Sequence, residues 1–581
     1  MNVTLSDSSA ILAQTERQGS YTSGTSDTPL LGLTIGDMFD QTAGRYPDHP
    51  ALISRHQNIR LMYHELQAQV NQCAKGLMQL GLQKGQRLGI WSPTRAEWCI
   101  TQLATSKMGV ILVNINPAYR LRELEYALKQ SGCSALVFAP EFKTSNYTEI
   151  LFSLVPELNR CAPGKLNSAK LPDLKTVIRL GPERTPGIFT WDELMISGEA
   201  VSDAQLATLQ RDQEFDDPIN IQYTSGTTGF PKGATLSHHN ILNNAYFVAR
   251  LQNFTSADRL CIPVPLYHCF GMGLGNLACI TVGATMVYPS EGFNPLATLE
   301  AVQEEKCTAL YGVPTMFIAE LDYPDFSRFD LTSLRTGIMG GSPCPSEVMK
   351  KLNTLMHMDE VEICYGMTET SPVVTQTPID ASLEKRVGTV GVIHPHMEIK
   401  IIDPATGKIV PLGTPGELCM RGYCVMLGYW NNPQASAQAI DQARWMHSGD
   451  LATMDKDGYI NIVGRIKDMV IRGGENIYPR EIEEFLYTHP KISDVQVIGV
   501  PDQKYGEEIM AWVKIKPGEQ ISEEELREFC KGQIAHYKIP RYFKFIDSFP
   551  MTVTGKIQKF VMRQQAIEEL GLQSVASIKT A

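Results

Sequence analysis

A ten-residue run near the middle of the chain has the composition of a phosphate-binding loop. Residues 224–233 include three glycines, four hydroxyl side chains, a proline and a lysine. Glycines let backbone N–H groups turn toward a ligand, and hydroxyls and a lysine add further donors. Lys232 has no glycine immediately before it and no Ser or Thr after it, so the run does not fit the Walker spacing. We interpret it as a phosphate-holding loop, and a surface turn rich in small residues is the alternative.

Six further motifs have side chains that could act on a nucleotide or an acyl group. Each has an ordinary interpretation by itself, because a single histidine is usually satisfied within a loop, Asp favours turns, and Glu and Lys are mostly exposed. The ordinary interpretation would have to be correct for every one of the motifs at once. The order of the motifs favours one shared site instead. The motifs lie at residues 266–271, 340–343, 365–369, 448–451, 464–465 and 554–556.

In this order the motifs resemble those of the adenylate-forming superfamily. That superfamily includes acyl-CoA synthetases, aryl-CoA ligases, luciferases and the adenylation domains of peptide synthetases. The resemblance extends over nearly the whole chain after about residue 30, and it is specific because several separated motifs match in sequence. Residues 117–119, 220–229 and 233–241 are similar to the medium-chain fatty-acyl-CoA synthetases in particular.

The resemblance implies that the loop wraps the β- and γ-phosphates of ATP. Glu369 would hold Mg²⁺, a hard cation that takes oxygen ligands, and Thr368 would contact the α-phosphate. The loop residues assigned to ATP in this way are Thr224, Ser225, Gly226, Thr227, Thr228, Gly229, Phe230, Pro231 and Lys232.

The resemblance also implies the contacts to the nucleoside. Tyr365 would stack on the adenine, whose edge would meet the turn at residues 340–342. Asp450 would bind the ribose hydroxyls, with Arg465 beside it. The other residues assigned to this part of the ATP site are Gly340, Gly341, Ser342 and Gly366.

Two more residues would lie at the acyl group. The resemblance implies that His268 is at the junction of the acyl and pantetheine tunnels, and that Lys556 reaches both the acyl carboxylate and the α-phosphate. A carboxylate and a triphosphate repel each other, so attack at the α-phosphorus needs cations and hydrogen-bond donors that offset the charge. The resemblance therefore implies that Lys556, Thr368 and His268 are the catalytic residues.

Two reactions in one cleft require part of the protein to move between them. Lys467 matches the hinge position of the family, at the junction with the C-terminal segment. Rotation about Lys467 would exchange the face with Lys556 for a loop whose two glycines suit close approach to a thin pantetheine arm. The residues of this predicted CoA channel are Arg472, Gly473, Gly474 and Glu475.

The implied activity is that of an ATP-dependent fatty-acid–CoA ligase. A fatty acid, expected to be of medium chain length, and ATP would give acyl-AMP and pyrophosphate, and the CoA thiol would then give acyl-CoA and AMP. Three alternatives are an enzyme that transfers the acyl group to an acyl carrier protein, a luciferase-type monooxygenase, and a catalytically silent scaffold. The intact loop, Glu369, Asp450, Arg465 and Lys556 argue against a scaffold.

Bulk composition limits the partners and the compartment. A net charge of −11 on 581 residues argues against a general nucleic-acid-binding protein. The 13 cysteines include no C-x-x-C pair, which argues against a zinc site or a disulfide framework and suits a reducing compartment. The sequence has neither a leader pattern nor an apolar run of roughly 18 residues, so we expect a cytoplasmic protein without a transmembrane segment. It does not indicate the oligomeric state.

Alternating helix and strand patterns predict an α/β fold. The first third reads as a βαβ series, which implies a mainly parallel sheet with helices on its faces. The predicted helices there are 64–80, 95–107 and 122–130, and the predicted strands are 87–91, 110–113 and 135–139. A second α/β series follows from residue 219 to about 378, and the short strands after residue 388 predict a small β-barrel or antiparallel sheet.

These patterns also predict the domain organisation. An N-terminal tail at residues 1–30 precedes a large domain at 31–466, followed by a small, mobile α+β domain at 467–581. The large domain would contain two parallel-type α/β subdomains and the small β-barrel. The predicted subdomain bounds are 31–210, 211–387 and 388–464.

Overall fold

An eight-stranded sheet dominates the first part of the fold. The computed structural model describes residues 19–224, 231–342, 344–473, 475–552 and 556–576. Six neighbouring strands of the sheet are parallel, and two antiparallel strands extend one edge. In spatial order the strands are Phe189–Thr190, Thr176–Arg179, Ala135–Phe138, Arg87–Trp91, Ile111–Ile115, Pro218–Thr224, Lys232–Ser237 and Gly428–Tyr429. The predicted βαβ series is therefore confirmed.

Local sequence signals explain where the helices of this part begin and which face they bury. Thr34, Thr190 and Ser202 each form a reciprocal capping box at a helix start. The predicted 3.6-residue period in the helix after residue 62 is confirmed, because Leu66, Val70, Cys73 and Leu77 are all buried. The helices are Ile35–Arg45, Tyr63–Gln79, Ala96–Met108, Leu121–Ser131, Tyr147–Leu154, Trp191–Ser197 and Asp203–Arg211.

A nine-stranded sheet forms the second α/β unit, and six adjacent strands in it are parallel. In spatial order the strands are Val392–Ile393, Val373–Gln376, Glu360–Gly366, Thr336–Gly340, Ala309–Gly312, Arg259–Cys261, Thr285–Tyr288, Pro50–Ser54 and Ile59–Met62. The accompanying helices are His238–Leu251, Ala278–Val282, Pro295–Glu305, Pro314–Leu321, Ser346–Leu355 and Leu383–Gly388. The strand Pro50–Ser54 comes from the first predicted subdomain, so the two α/β units share chain segments.

The predicted small β-barrel is an open antiparallel sheet in the described part of the chain. Its strands, in spatial order, are Tyr21–Ser23, Met397–Ile402, Gly416–Gly422, Met446–Met454 and Ile460–Arg465. The first and last strands lie at opposite edges and do not pair with each other there, so the sheet is not closed. The edge strand Tyr21–Ser23 comes from the predicted tail, and three residues are too few to give a periodic signal.

The C-terminal segment combines a second small sheet with helices, as predicted. Its strands are Glu475–Ile477, Val470–Arg472, Gly506–Ile515, Ile492–Asp502 and Tyr542–Phe545, and its helices are Pro479–Tyr487, Glu523–Cys530, Lys559–Glu569 and Gln573–Ala576. Ser522 accepts a hydrogen bond from the Glu525 N–H at the start of one helix. That helix ends at Cys530, because Lys531 is extended and Gly532 has a φ of +74°.

Separate hydrophobic clusters stabilise these parts. One large cluster contains buried side chains between Ile35 and Ile460, while two smaller clusters lie between Val470 and Ala566. All 13 cysteines are free, and every one except Cys161 is buried. Among the helices that the structure describes, none has the length and apolar character needed to cross a membrane.

Candidate active site

A hairpin of two antiparallel strands flanks the predicted phosphate loop. Thr224 ends one strand and pairs with Lys232, the first residue of the next, and the Tyr126 hydroxyl donates a hydrogen bond to the Pro231 carbonyl at 3.0 Å. The α/β series predicted from residue 219 does not single out the second strand, because its first residues, Lys-Gly-Ala, are poor strand formers. The loop residues Ser225, Gly226, Thr227, Thr228, Gly229 and Phe230 lie outside the described ranges.

A tyrosine outside the sequence motifs joins the loop to the predicted metal ligand. The hydroxyl of Tyr429 donates to Oε1 of the buried Glu369 carboxylate at 2.8 Å, and the Lys232 ammonium lies 5.1 Å from the centre of the same ring. Tyr429 is in reach because its short strand pairs with Ala234 of the hairpin. Nothing in the spacing links Tyr429 to Lys232, which is almost two hundred positions away.

The predicted nucleoside residues meet at the end of the strand Glu360–Gly366. Tyr365 donates its hydroxyl to Asp450 Oδ2 at 2.7 Å, and Arg465 Nε lies 3.0 Å from Asp450 Oδ1. Asp450 and Arg465 are also cross-strand partners. Burial first, and the Asp450 charge second, raise the pKa of Tyr365 well above its ordinary value, so its hydroxyl stays protonated and donates.

Two predicted glycines are required by their surroundings. A Cβ on Gly366 would lie 1.7 Å from the carbonyl oxygen of Pro372, so no other residue fits that position. Gly341 has a φ of +86°, and it directly follows Gly340, the last residue of its strand. The carbonyl of Ser342 accepts a bond from the Cys344 thiol.

His268 is held as a neutral imidazole. Its Nδ1 accepts a hydrogen bond from the backbone N–H of Phe270 at 3.1 Å. Burial, and then the charge of Lys556, lower the pKa of His268 from 6.5 to about 3, so the ring is uncharged at neutral pH. The thiol of Cys269, a residue that the sequence motifs do not mark as functional, lies 3.6 Å from His268 Nδ1 and 3.9 Å from the Thr368 hydroxyl.

Lys556 lies beside this group although it comes from the C-terminal segment. A Cβ on Gly341 would lie 3.8 Å from Lys556 Cε, although the two residues are more than two hundred positions apart. Two hydrogen bonds join the lysine to Thr552: the Thr552 N–H donates to the Lys556 carbonyl at 2.8 Å, and the Lys556 N–H donates to the Thr552 hydroxyl at 3.1 Å. Burial is the largest cause that lowers the pKa of Lys556, and the nearby charge of Arg465 lowers it further.

The predicted hinge follows the strand that ends at Arg465, and the predicted CoA-channel residues bond within the C-terminal segment. Lys467 is exposed, in the turn that follows the strand Ile460–Arg465. Arg472 forms two hydrogen bonds of 2.8 Å with the Glu508 carboxylate, and Gly473 N–H donates to the Tyr505 carbonyl at 2.8 Å. These three hydrogen bonds all join residues of the C-terminal segment. Glu475 is exposed, and Gly474 lies outside the described ranges.

The structure thus brings together two groups of predicted residues at neighbouring strand ends. Tyr365, Asp450 and Arg465 form one hydrogen-bonded group. In the other, His268 and Thr368 contact Cys269, and Lys556 lies close to Cys269 and Gly341. Glu369 follows Thr368 directly and connects to Lys232 through Tyr429. An aromatic group, a carboxylate, hydroxyls and two cations are the components that a site for a nucleotide and an anionic second substrate requires.

Comparison with known proteins identifies the class. The AMP-binding enzyme family matches residues 39–430, and the AMP-binding enzyme C-terminal domain matches residues 481–556. The chain therefore belongs to the AMP-binding enzyme family.

Three relatives are similar to this chain over nearly its whole length. YngI of Bacillus subtilis (strain 168) is 51% identical over 545 residues, which cover 94% of this chain and 99% of YngI. The medium-chain acyl-CoA ligase ACSF2, mitochondrial, of Danio rerio is 48% identical over 556 residues, which cover 95% of this chain and 91% of that protein. The crystal structure of ATP-bound MatB from Rhodopseudomonas palustris has a TM-score of 0.79 at 28% identity and covers 92% of this chain and 99% of MatB.

MatB also provides a comparison between two states of one protein. Its ATP-bound structure has a TM-score of 0.79 to this chain and its apo structure a TM-score of 0.70, at the same coverage. The backbone of this chain therefore resembles the ATP-bound form of that relative more than its apo form.

Proposed function

We propose that the protein is an AMP-forming acyl-CoA synthetase that acts on medium-chain fatty acids. The observation that carries the proposal is the position of Lys556 beside Gly341 and Cys269, next to the hydrogen-bonded group of Tyr365, Asp450 and Arg465. The name of the Danio rerio relative, a medium-chain acyl-CoA ligase, supports the reaction and the chain length.

In the first half-reaction the fatty carboxylate attacks the α-phosphorus of ATP. A bond forms between the carboxylate oxygen and the α-phosphorus, the bond from that phosphorus to pyrophosphate breaks, and acyl-AMP remains. Lys556 is our candidate for the cation that offsets the repulsion between the two anions. Tyr365, Asp450 and Arg465 hold the nucleoside, and Lys232 with the loop at residues 224–231 holds the departing phosphates. Thr368 would donate to the α-phosphate, since its hydroxyl lies in the same group as Lys556.

Glu369 is our candidate for the protein ligand of Mg²⁺. Nucleotide-bound Mg²⁺ usually takes one or two carboxylates, with phosphate oxygens and waters filling its other positions. Glu369 meets that requirement because it is a buried carboxylate that shares one oxygen with Tyr429 and keeps further lone pairs. When bound, the ion would neutralise charge on the phosphates.

In the second half-reaction the CoA thiol attacks the acyl-AMP carbonyl. A C–S bond forms, AMP departs, and acyl-CoA is released. His268 is neutral, so it can form a wall of the acyl tunnel without adding a charge near the cation. We infer that this arrangement of the two domains is suited to the first half-reaction. Lys556 lies near Asp450 and Arg465, whereas Arg472 of the predicted CoA channel is bonded to Glu508 within the C-terminal segment. The resemblance to ATP-bound MatB supports this inference.

Rotation about Lys467 would then bring the loop at residues 472–475 to the acyl-adenylate. On this proposal residues 31–466 form the fixed domain and residues 467–581 the moving one. Cytoplasmic location stays a prediction, since the vertebrate relatives are named mitochondrial.

One assay tests the proposed function. The purified chain is incubated with ATP, Mg²⁺, CoA and linear acids from butanoate to octadecanoate, and AMP and acyl-CoA are measured. We expect both products, with the highest kcat/KM for medium-chain acids. The absence of AMP with every acid would contradict the function, and a maximum with the longest acids would contradict the substrate class.

A smaller effect is expected when Tyr429 is replaced by phenylalanine. The variant keeps the ring near Lys232 but removes the hydrogen bond to Glu369, and a bond to a charged group typically contributes about 1.5–3 kcal/mol. We expect the Mg²⁺ concentration that gives half-maximal ATP–pyrophosphate exchange to rise by about tenfold.

A matched control exists for that variant. Tyr21 also donates to a carboxylate, Glu398, at 2.7 Å on the open antiparallel sheet. Tyr21→Phe should leave the Mg²⁺ requirement unchanged, and an unchanged requirement in Tyr429→Phe as well would refute the link to Glu369.

A further inference from the structure

Glu417 is a largely buried carboxylate that the proposed mechanism does not use. It lies on the strand Gly416–Gly422, and its side chain is 13% exposed. Both of its oxygens accept hydrogen bonds, one from the backbone N–H of Gly449 at 3.2 Å and the other from His447 Nδ1 at 3.0 Å. Glu417 therefore contacts the chain immediately before Asp450.

The Gly449 peptide is held on both sides. Its N–H donates to Glu417, while its carbonyl accepts from the Ile466 N–H at 3.0 Å. Gly449 has a φ of +69°, a conformation that favours glycine, so the turn cannot easily relax into another shape with these bonds kept.

A second set of bonds completes the turn around Asp450. The Ser448 hydroxyl donates to the Leu418 carbonyl at 2.6 Å and accepts from the Asp450 N–H at 3.0 Å. The direction of the Asp450 carboxylate therefore depends on a backbone turn whose acceptors come from Glu417 and Leu418 on the neighbouring strand. Without Glu417 the Gly449 N–H would lose its acceptor in a partly buried place.

We propose that Glu417 is a positioning residue that orients Asp450 for the two ribose hydroxyls of ATP. The proposal rests on the proposed function, in which Asp450 binds the ribose. Asp450 already accepts from Tyr365 and pairs with Arg465, so the lone pairs left for ribose hydroxyls point in few directions. A small rotation of the turn would therefore lose ribose contacts while the adenine and phosphate contacts remain.

The same cluster has one other chemical interpretation. Ligand atoms of Glu417, Cys419 and His447 all lie within 4.8 Å of one another, which is compatible with a metal ion. The bonds from Gly449 and His447 already occupy one lone pair on each Glu417 oxygen, which favours the positioning role. Metal analysis of the purified protein is therefore one arm of the test.

The test compares ATP with 2′,3′-dideoxy-ATP in ATP–pyrophosphate exchange. Glu417→Met removes the acceptors but fills a similar volume, and Glu417→Gln keeps an amide oxygen that can accept from Gly449. We expect Glu417→Met to lower kcat/KM for ATP by about tenfold and for dideoxy-ATP by less than about twofold. Glu417→Gln should keep kcat/KM for ATP within about threefold of the wild-type value.

Glu398→Met is the matched control, because Glu398 lies on the same sheet but bonds Tyr21 and Arg421 instead. It should leave kcat/KM unchanged for both nucleotides. If Glu417→Met does not fold, His447→Phe takes its place, since phenylalanine has no donor for the second Glu417 oxygen and the position is partly exposed. It should give the same ATP-specific loss at a smaller amplitude.

Equal losses with both nucleotides, or no loss with ATP, would overturn the positioning role. A stoichiometric transition metal that disappears in Glu417→Met would overturn it in favour of a metal site. A wild-type protein that does not distinguish the two nucleotides would instead contradict the role of Asp450, and one that catalyses no exchange would contradict the proposed function itself.

Discussion

Replacing Lys556 by alanine is expected to lower the rate of acyl-adenylate formation by about 10²–10³-fold, the usual loss for one preorganised donor at a developing charge. Lys556 lies next to Gly341 and Cys269 and is the cation from the C-terminal segment in this group. Thioester formation from acyl-AMP supplied in the assay should fall far less, because pyrophosphate has already left. The two rates are measured separately, by pyrophosphate exchange and by release of AMP from synthetic acyl-AMP and CoA.

Lys531→Ala is a suitable control for that variant. Lys531 belongs to the same segment but is 71% exposed and pairs with Glu528 three positions before it. It should leave both half-reactions unchanged. Equal losses of the two half-reactions in Lys556→Ala would contradict an adenylation-specific role.

The pH dependence of adenylation should reflect the same lysine. Burial lowers the pKa of Lys556 from its ordinary 10.5, so the ammonium loses its proton at a lower pH than an exposed lysine does. The rate should therefore fall on the alkaline side before an ordinary lysine would titrate. In Lys556→Arg the remaining activity should persist to higher pH, because a guanidinium stays protonated. An alkaline limb at the same pH in both proteins would assign the titration to another group.

Replacing Lys467 by proline is expected to impair thioester formation and to spare adenylation, which is the reverse of the effect expected for Lys556→Ala. Proline fixes φ near −65°, which prevents rotation of the backbone at that residue. Adenylation should be preserved, since the structure already has Lys556 at the nucleotide group, whereas thioester formation should fall by at least about tenfold if this rotation is needed. Full turnover to acyl-CoA and pyrophosphate exchange are the two measurements.

Lys467→Ala is the control, because it removes the same ammonium and keeps the backbone free to rotate. Because the Lys467 side chain is exposed, neither variant leaves a cavity in the core. Parallel losses of both activities in Lys467→Pro, or a loss in Lys467→Ala as large as in the proline variant, would contradict the hinge.

Most of the secondary structure could be predicted from local sequence. The strand Arg87–Trp91 has the predicted bounds, and the helix Tyr63–Gln79 begins and ends within one residue of the predicted range 64–80. These elements are set by side-chain patterning, which is a property of consecutive residues. Local sequence does not predict the strands Tyr21–Ser23 and Lys232–Ser237, because one is too short to show a pattern and the other begins with residues that disfavour strands.

The sequence by itself determined the family, the order of the site motifs and the identity of the residues that could bind a nucleotide. The motifs are short runs such as Tyr365 to Glu369, and the chemistry of their side chains is visible wherever they lie. Only the tertiary structure decided which of them meet. In the folded chain Tyr365 donates a hydrogen bond to Asp450, Tyr429 contacts both Glu369 and Lys232, and Arg472 is hydrogen-bonded to Glu508. The physical reason is that these contacts arise from sheet pairing and domain packing between segments far apart in the chain, which no local spacing encodes.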